Sequence, residues 1–252
     1  MPQWWPDLLG SWIYYSCLPA AKNLQPRFER IARFAPWIGL FIGGAQACLW
    51  LAGSALGLPT ASLAALVIAF GLWLSGGLHF DGVLDCGDGL GAGKRQMEAM
   101  ADSRIGASGL VAGLILLLLK GAALIALAPG AAAAALLWSA FWGRVSPLLA
   151  IAHFPYLRPG GSAGFHREHS QGLSRELRPS AFAFALMVGL SLAVPNLPLG
   201  AGISGLIPAV AVPFWLGKRL GGHSGDSYGA CVEWTEALAL WLIWLIGLLG
   251  LG

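Results

Sequence analysis

Three aspartates stand four and three residues apart in the segment Gly76-Gly77-Leu78-His79-Phe80-Asp81-Gly82-Val83-Leu84-Asp85-Cys86-Gly87-Asp88-Gly89. Read as helix, the spacing i, i+4, i+7 puts Asp81, Asp85 and Asp88 on one stripe. Like charges so placed cost a bare helix about 0.2–0.5 kcal/mol per pair, and more once water is excluded. Asp and Gly are also poor helix formers. A stripe of this kind calls for a cation. Carboxylate oxygens suit hard ions, and Mg²⁺ takes one or two carboxylates and completes its shell with water and substrate phosphate. Gly82, Gly87 and Gly89 leave the backbone open to a diphosphate. The plainer alternative is a solvated acidic loop in which Asp102 caps a helix.

The run Gly89-Leu90-Gly91-Ala92-Gly93 reads as a turn that reverses the chain. Residues 94–104 then read as a short amphipathic helix ending at Asp102-Ser103-Arg104-Ile105-Gly106. The expected metal set is therefore Asp81, Asp85 and Asp88 from one arm and Asp102 from the other. Arg104, with Lys94 or Arg95, is placed to meet phosphate oxygens. Arg144 and Lys120 lie inside apolar runs, where charge is costly and usually faces the bundle interior. Arg144 is read as reaching an anionic substrate, and Lys120 as either functional or paired between helices. Asp226, amid glycines in Gly225-Asp226-Ser227-Tyr228-Gly229, is a second candidate metal- or hydroxyl-binding residue. Glu233 and Glu236 suit either catalysis or a helix dipole. His166 and His169 lack a nearby third ligand, so a transition-metal pair is not expected.

The elements that position these groups follow from where charge is absent. Of 252 residues, 57% are hydrophobic and 11% charged, far below the roughly 25% charged residues of a soluble domain. No charge occurs between Phe34 and Phe80, a run broken near Gly57-Leu58-Pro59-Thr60. Residues 109–153 repeat the plan around Pro129-Gly130, with only Lys120 and Arg144 charged. Residues 180–217 do so again with a turn near 195–202, and 235–252 form a last span. With about 20 residues per crossing, seven transmembrane helices result. The fold class expected is all-α, a polytopic helical bundle forming one membrane domain over 1–252. The aromatic cluster Trp4, Trp5, Trp12, Tyr14 and Tyr15 reads as a segment at the membrane interface.

Four polar segments, 22–33, 79–108, 154–179 and 218–236, alternate with three short uncharged turns. They hold 13 of the 15 Lys and Arg residues and all acids but Asp7. Seven spans put all four on one side, which the positive-inside rule makes cytoplasmic, with the C-terminus outside. The formal net charge of +3 calls for no nucleic-acid partner. The cysteines 17, 48, 86 and 231 show no CxxC spacing, and neither a disulfide framework nor a zinc site is implied.

These segments together resemble the cobalamin synthase family, also called adenosylcobinamide-GDP ribazoletransferase. The resemblance rests on Gly76-Gly77-Leu78-His79-x-Asp81-Gly82-x-x-Asp85-x-x-Asp88-Gly89 and Asp102-Ser103-Arg104-Ile105-Gly106. Pro155-Tyr156-x-Arg158-Pro159-Gly160 and Gly225-Asp226-x-x-Gly229-Ala230 support it, in family order along most of the chain. It implies a multi-pass enzyme of the cell inner membrane, lodged in the lipid bilayer. It also implies condensation of adenosylcobinamide-GDP with α-ribazole or its 5′-phosphate, GMP release, and a requirement for Mg²⁺. Carried over by position, Asp81, Asp85, Asp88, Asp102 and Asp226 are its acids. Arg104, Arg144 and Arg158 are the basic residues expected to meet substrate. The attacking hydroxyl needs a base, and His79 or one of the aspartates is the candidate. Phe80, Cys86 and His223-Ser224 depart from the expected pattern, so no role is carried to them. A lipid CDP-alcohol phosphotransferase lacks a matching pattern after the second aspartate, and a transporter would place its acids near mid-bilayer. The sequence leaves a homo-oligomer open.

Overall fold

In hydrocarbon the backbone groups of a spanning segment must all be bonded, within a helix or around a closed barrel, and the long uncharged runs of this chain form helices. The computed structural model describes residues 4–20, 23–158, 161–194 and 199–250. Pro159-Gly160, the 195–198 part of the third expected turn, and the 251–252 end of the last expected span lie outside the described residues. In chain order the helices are α1 Trp5–Tyr15, α2 Ala35–Ala55, α3 Thr60–Leu74, α4 Leu78–Gly91 and α5 Gln96–Ala99. There follow α6 Ala107–Ala126, α7 Pro129–His153, α8 Phe165–Glu168 and α9 Leu173–Glu176. The chain closes with α10 Arg178–Ala193, α11 Leu199–Ile203, α12 Leu206–Leu220 and α13 Gly225–Leu249. Among the described residues the only strand-like feature is a parallel bridge between Tyr156 and His223.

Each of the seven expected spans contains a helix. Five stretches are long and apolar enough to cross a membrane: Ile31–Ala55, Ala107–Ala126, Pro129–His153, Leu199–Leu220 and Gly225–Leu249. Arg178–Ala193 is apolar but shorter. The second span differs from expectation. It does not run straight into the aspartate stripe, because α3 ends at Leu74 and α4 departs from it at 96°. Gly76 and Gly77 take φ of +62° and +72° between them, a left-handed backbone that only glycine adopts without strain. Thus α4 lies across the end of α3 as a separate helix, about 21 Å long at 1.5 Å per residue, and is not itself a span. The expected helix over 94–104 is also shorter. A 3₁₀ turn over Gly93–Arg95 leads into the single turn of α5.

α7 forms the centre, packed against α2, α12 and α13, while α4 lies between α6 and α13. The Ala-rich start of α7 sinks Ala132 and Ala135 completely, next to a core of Trp50, Trp138 and Phe141. A second core, nearer the polar end, joins Val83, Met100, Leu116 and Leu216. Outward-facing Leu118, Phe182, Leu192 and Leu248 remain exposed, as a lipid-facing surface requires.

The four polar segments meet at one end of the bundle. Arg30 donates from Nη2 to Glu176 Oε1 at 2.8 Å, linking the first to the third. Arg158 Nη1 lies 3.0 Å from Asp226 Oδ2, linking the third to the fourth. Asp7, the one acid outside those segments, is buried and paired with Arg27 and Arg33. Helix α1 is thereby pinned to the same end.

Candidate active site

The aspartate stripe is helical, as its spacing requires, and α13 crosses directly over it. The crossing is close because Gly82 faces the backbone of Asp226, and a Cβ there would sit 2.2 Å from the Asp226 carbonyl oxygen. Gly229 makes the same approach from the other helix, with its own Cβ position 3.0 Å from the His79 Cα. Asp226 occupies the first turn of the 25-residue α13, where the helix dipole favours a carboxylate. Ser224 and Ser227 start that helix with a reciprocal capping box, satisfying two of its free N–H groups.

The third polar segment reaches this point through a short backbone bridge. Leu157 N–H donates to the His223 carbonyl at 2.7 Å, and His223 N–H donates to the Pro155 carbonyl at 2.9 Å. Arg158, next in line, is thereby delivered to Asp226. His223 itself is fully buried, held by Ser227 Oγ at 2.9 Å and the Pro213 carbonyl at 3.0 Å. Burial lowers its pKa to about 4, so it is a neutral structural residue.

The acids divide into three groups. Asp81 and Asp85 face the Asp226–Arg158 pair. Burial raises the Asp85 carboxyl to about 6, with repulsion from Asp226 and Asp81 adding to it and Arg158 opposing. Asp88 is engaged elsewhere: its two oxygens accept from Gly106 N–H at 2.7 Å and Gly109 N–H at 2.8 Å. It caps the first turn of α6 from across the loop. Asp102 sits on the exposed turn before α6, gripped by Arg104 through Nε at 3.0 Å and Nη2 at 2.6 Å. That grip holds its carboxyl down near 2. The expected four-acid ring is therefore not assembled. Among the described residues, no three His, Cys, Asp or Glu side chains form a ready metal-ligand group. Arg104, Lys94 and Arg95 are all exposed on this outer turn rather than turned inward.

Arg144 is buried and paired with Glu236, whose other oxygen accepts from Lys120 Nζ at 2.6 Å. Lys120 also donates to Glu233 at 2.5 Å. Two cations and two anions thus close a neutral network between α6, α7 and α13, the interhelical pairing that sequence left as one option for Lys120. Sequence reasoning did not find that Arg144 belongs to it, since the partners lie 92 to 116 residues apart. Arg144 nevertheless lines a cavity shared with His79, Asp81, Asp226, Tyr15, His166 and Tyr228. His166 was unassigned by sequence. It is buried against Tyr15, whose hydroxyl lies 3.3 Å from its Nε2, and desolvation drops its pKa to about 3. His169 instead contacts the Phe165 carbonyl through Nδ1 at 3.0 Å.

An acidic, arginine-flanked rim at one end of a polytopic helical bundle defines a membrane protein suited to handling phosphorylated ligands. A cobalamin-5-phosphate synthase family model matches residues 7–244. The chain belongs to that family. It is 53% identical over 251 residues to an adenosylcobinamide-GDP ribazoletransferase of Prochlorococcus marinus (strain MIT 9303), covering 96% of each chain. Identity is 44% to the like-named protein of another strain of the same species, covering 95% of each. It is 40% to that of Thermosynechococcus vestitus, covering 95% of this chain and 96% of the relative. No solved structure matches.

Proposed function

We propose that the protein condenses adenosylcobinamide-GDP with α-ribazole, or its 5′-phosphate, and releases GMP, and that it does so with Mg²⁺. One observation carries the reading: Asp81, Asp226, Arg144 and His79 line one cavity at the polar end, in a chain whose relatives bear that enzyme's name. In the reaction the ribose hydroxyl oxygen bonds to the phosphorus carried by the cobinamide. The bond from that phosphorus to the GMP oxygen breaks, and GMP leaves with the bonding electrons. The hydroxyl proton passes to a base on the cavity wall, His79 or one of the rim aspartates; burial and then the nearby Arg144 lower the His79 imidazole to about 3, which favours an aspartate. Arg158 and Arg144 stabilise the charge developing on the phosphoryl oxygens.

The residues present fit a dication. Asp81, Asp85 and Asp226 crowd negative charge around a single guanidinium, and the Asp85 carboxyl resists ionising there. Mg²⁺ needs only one or two carboxylates when substrate phosphate and water complete its shell. Asp81 and Asp85 would hold it, with Asp226 kept beside them by Arg158. When bound, the ion supplies neutralisation of the diphosphate. We place this end of the bundle at the cytoplasmic face of the cell inner membrane, with the C-terminus outside. The basis is the concentration of Lys and Arg in the four polar segments.

The test uses the full chain in lipid vesicles with both substrates and Mg²⁺, following GMP and cobalamin product. Wild-type protein releases GMP only when both substrates and the ion are present, and Asp85→Ala abolishes this. Wild-type protein that makes no product defeats the reaction. An active Asp85→Ala variant with unaltered Mg²⁺ dependence removes that residue from the ion's site.

A further inference from the structure

The cavity beneath the acidic rim holds more than the proposed chemistry uses. It measures about 110 Å³, several times the roughly 10–15 Å³ one water needs. Its wall is aromatic. The Tyr15 ring stacks on His79 at 6.0 Å and on His166 at 6.3 Å, and His166 meets Tyr228 edge-on at 6.4 Å. Ala32, Ala35, Ile151, Ala163 and Val232 supply the rest of an apolar lining. Four of the lining residues carry a buried polar atom with no hydrogen-bond partner: His79 Nδ1, His166 Nδ1, Tyr228 Oη and Arg144 Nε. Their side chains are all more than nine-tenths buried. An orphan of this kind forfeits its bonds to water with nothing in return, and buried polar groups are otherwise nearly always paired. Four around one space mark a place that a ligand completes.

The geometry points to this cavity as the seat of the acceptor nucleoside's flat aromatic base, between the Tyr15, His166 and Tyr228 rings. The assignment rests on the reaction proposed above. A benzimidazole-type base is a planar, largely apolar bicycle with one free ring nitrogen that accepts a hydrogen bond. The apolar lining suits its carbocycle, while Tyr228 Oη is a donor suited to that nitrogen. Guanine carries adjacent N–H donors that ask for a carboxylate facing its edge. Two carboxylates line the cavity: Asp226 is committed to Arg158 and Ser224, and Asp81 is assigned to the ion in the reaction proposed above. A corrin macrocycle is far too large for the space. A base seated below the rim would leave its ribose toward Asp81 and His79, where the hydroxyl must lose its proton. His166, neutral through burial, adds a polar edge without a charge that an apolar base would have to desolvate.

The test compares wild-type protein, Tyr228→Phe and Ala163→Val, each as the full chain in lipid vesicles. α-Ribazole binding is read by calorimetry without the second substrate, and KM is read separately for each substrate. Loss of the Tyr228 hydroxyl is expected to weaken α-ribazole about tenfold, the effect of one buried hydrogen bond. The KM for adenosylcobinamide-GDP stays within about twofold. Ala163→Val, which narrows the wall, produces the same selective loss and serves if Tyr228→Phe misfolds. Unchanged α-ribazole affinity in both variants overturns the assignment, as does a loss confined to adenosylcobinamide-GDP or GMP. Wild-type protein that binds α-ribazole but makes no cobalamin product would sink the proposed reaction and leave the pocket standing.

Discussion

Replacing Gly82 by Ala tests whether the close crossing of α4 and α13 is what builds the site. The added Cβ would lie 2.2 Å from the Asp226 carbonyl oxygen and 3.1 Å from Ala230 N. A carbon and a carbonyl oxygen rest at about 3.3 Å or more, so the helices must part by about 1 Å. Neither obstacle is a movable side-chain tip; both are helix backbone. Overpacking of this kind costs about 1–3 kcal/mol of stability. Its greater effect falls on geometry, because Asp81 and Asp85 ride on one helix and Asp226 on the other. A misplacement of about 1 Å costs on the order of a hundredfold in rate, about 2.7 kcal/mol of barrier at 1.36 kcal/mol per decade. The assay is kcat/KM for GMP release in vesicles, with a thermal melt to separate folding from catalysis. Gly189→Ala on α10, where an added Cβ meets nothing within 4 Å, is the control. Activity of Gly82→Ala within about twofold of that control would refute the reasoning.

Three further outcomes follow from the same geometry. With metal chelated, the Asp85 carboxyl holds its proton up to about pH 6 in the folded chain, against 3.8 ordinarily. Folded protein thus binds more protons than unfolded between those values, so stability falls as pH rises through that window. Melting temperatures from pH 4 to 7 should show this slope in wild-type protein and lose it in Asp85→Asn, and Mg²⁺ should raise the wild-type melt at neutral pH. Asp88→Ala strips two N–H groups of α6 of their acceptor and should cost about 1–2 kcal/mol in chemical denaturation; an unchanged transition would return Asp88 to the metal. Lys120→Met leaves buried Glu233 without a partner and should cost about 3–5 kcal/mol, partly recovered by adding Glu233→Leu. A double variant no better than the single would contradict the paired network.

Local pattern carried much of this structure. The uncharged runs disclosed the spanning helices because hydrocarbon permits little else, and spacing alone disclosed that Asp81, Asp85 and Asp88 share a helix face. What spacing does not contain is where a face points. The left-handed pair Gly76-Gly77 swings α4 through a right angle, and whether adjacent glycines turn a chain or merely loosen it depends on what packs beyond them. Asp88 looks like its two neighbours in sequence. Only the arrival of Gly106 and Gly109 converts it into a cap. Asp102 matches a motif, yet its guanidinium partner is two residues away on an outer turn, a local contact that competes with any distant ion. Arg144 was legible as an inward-facing charge, but not its tie to Glu236, nor the meeting of His166 with Tyr15, because each joins residues far apart along the chain.

The Lys120 network also bears on the order in which the bundle is completed. Helix α6 enters the bilayer carrying an ammonium whose two carboxylate partners are made more than a hundred residues later, on α13. Until that helix docks, the lysine must snorkel to the boundary or borrow water, and α6 cannot sit at its final depth. The closing of this ionic latch therefore makes the arrival of α13, which also brings Asp226, the step that seats its much earlier neighbour. A chain stalled before then would leave the Lys120 ammonium without its two carboxylates and the Asp81–Asp85 face without Asp226.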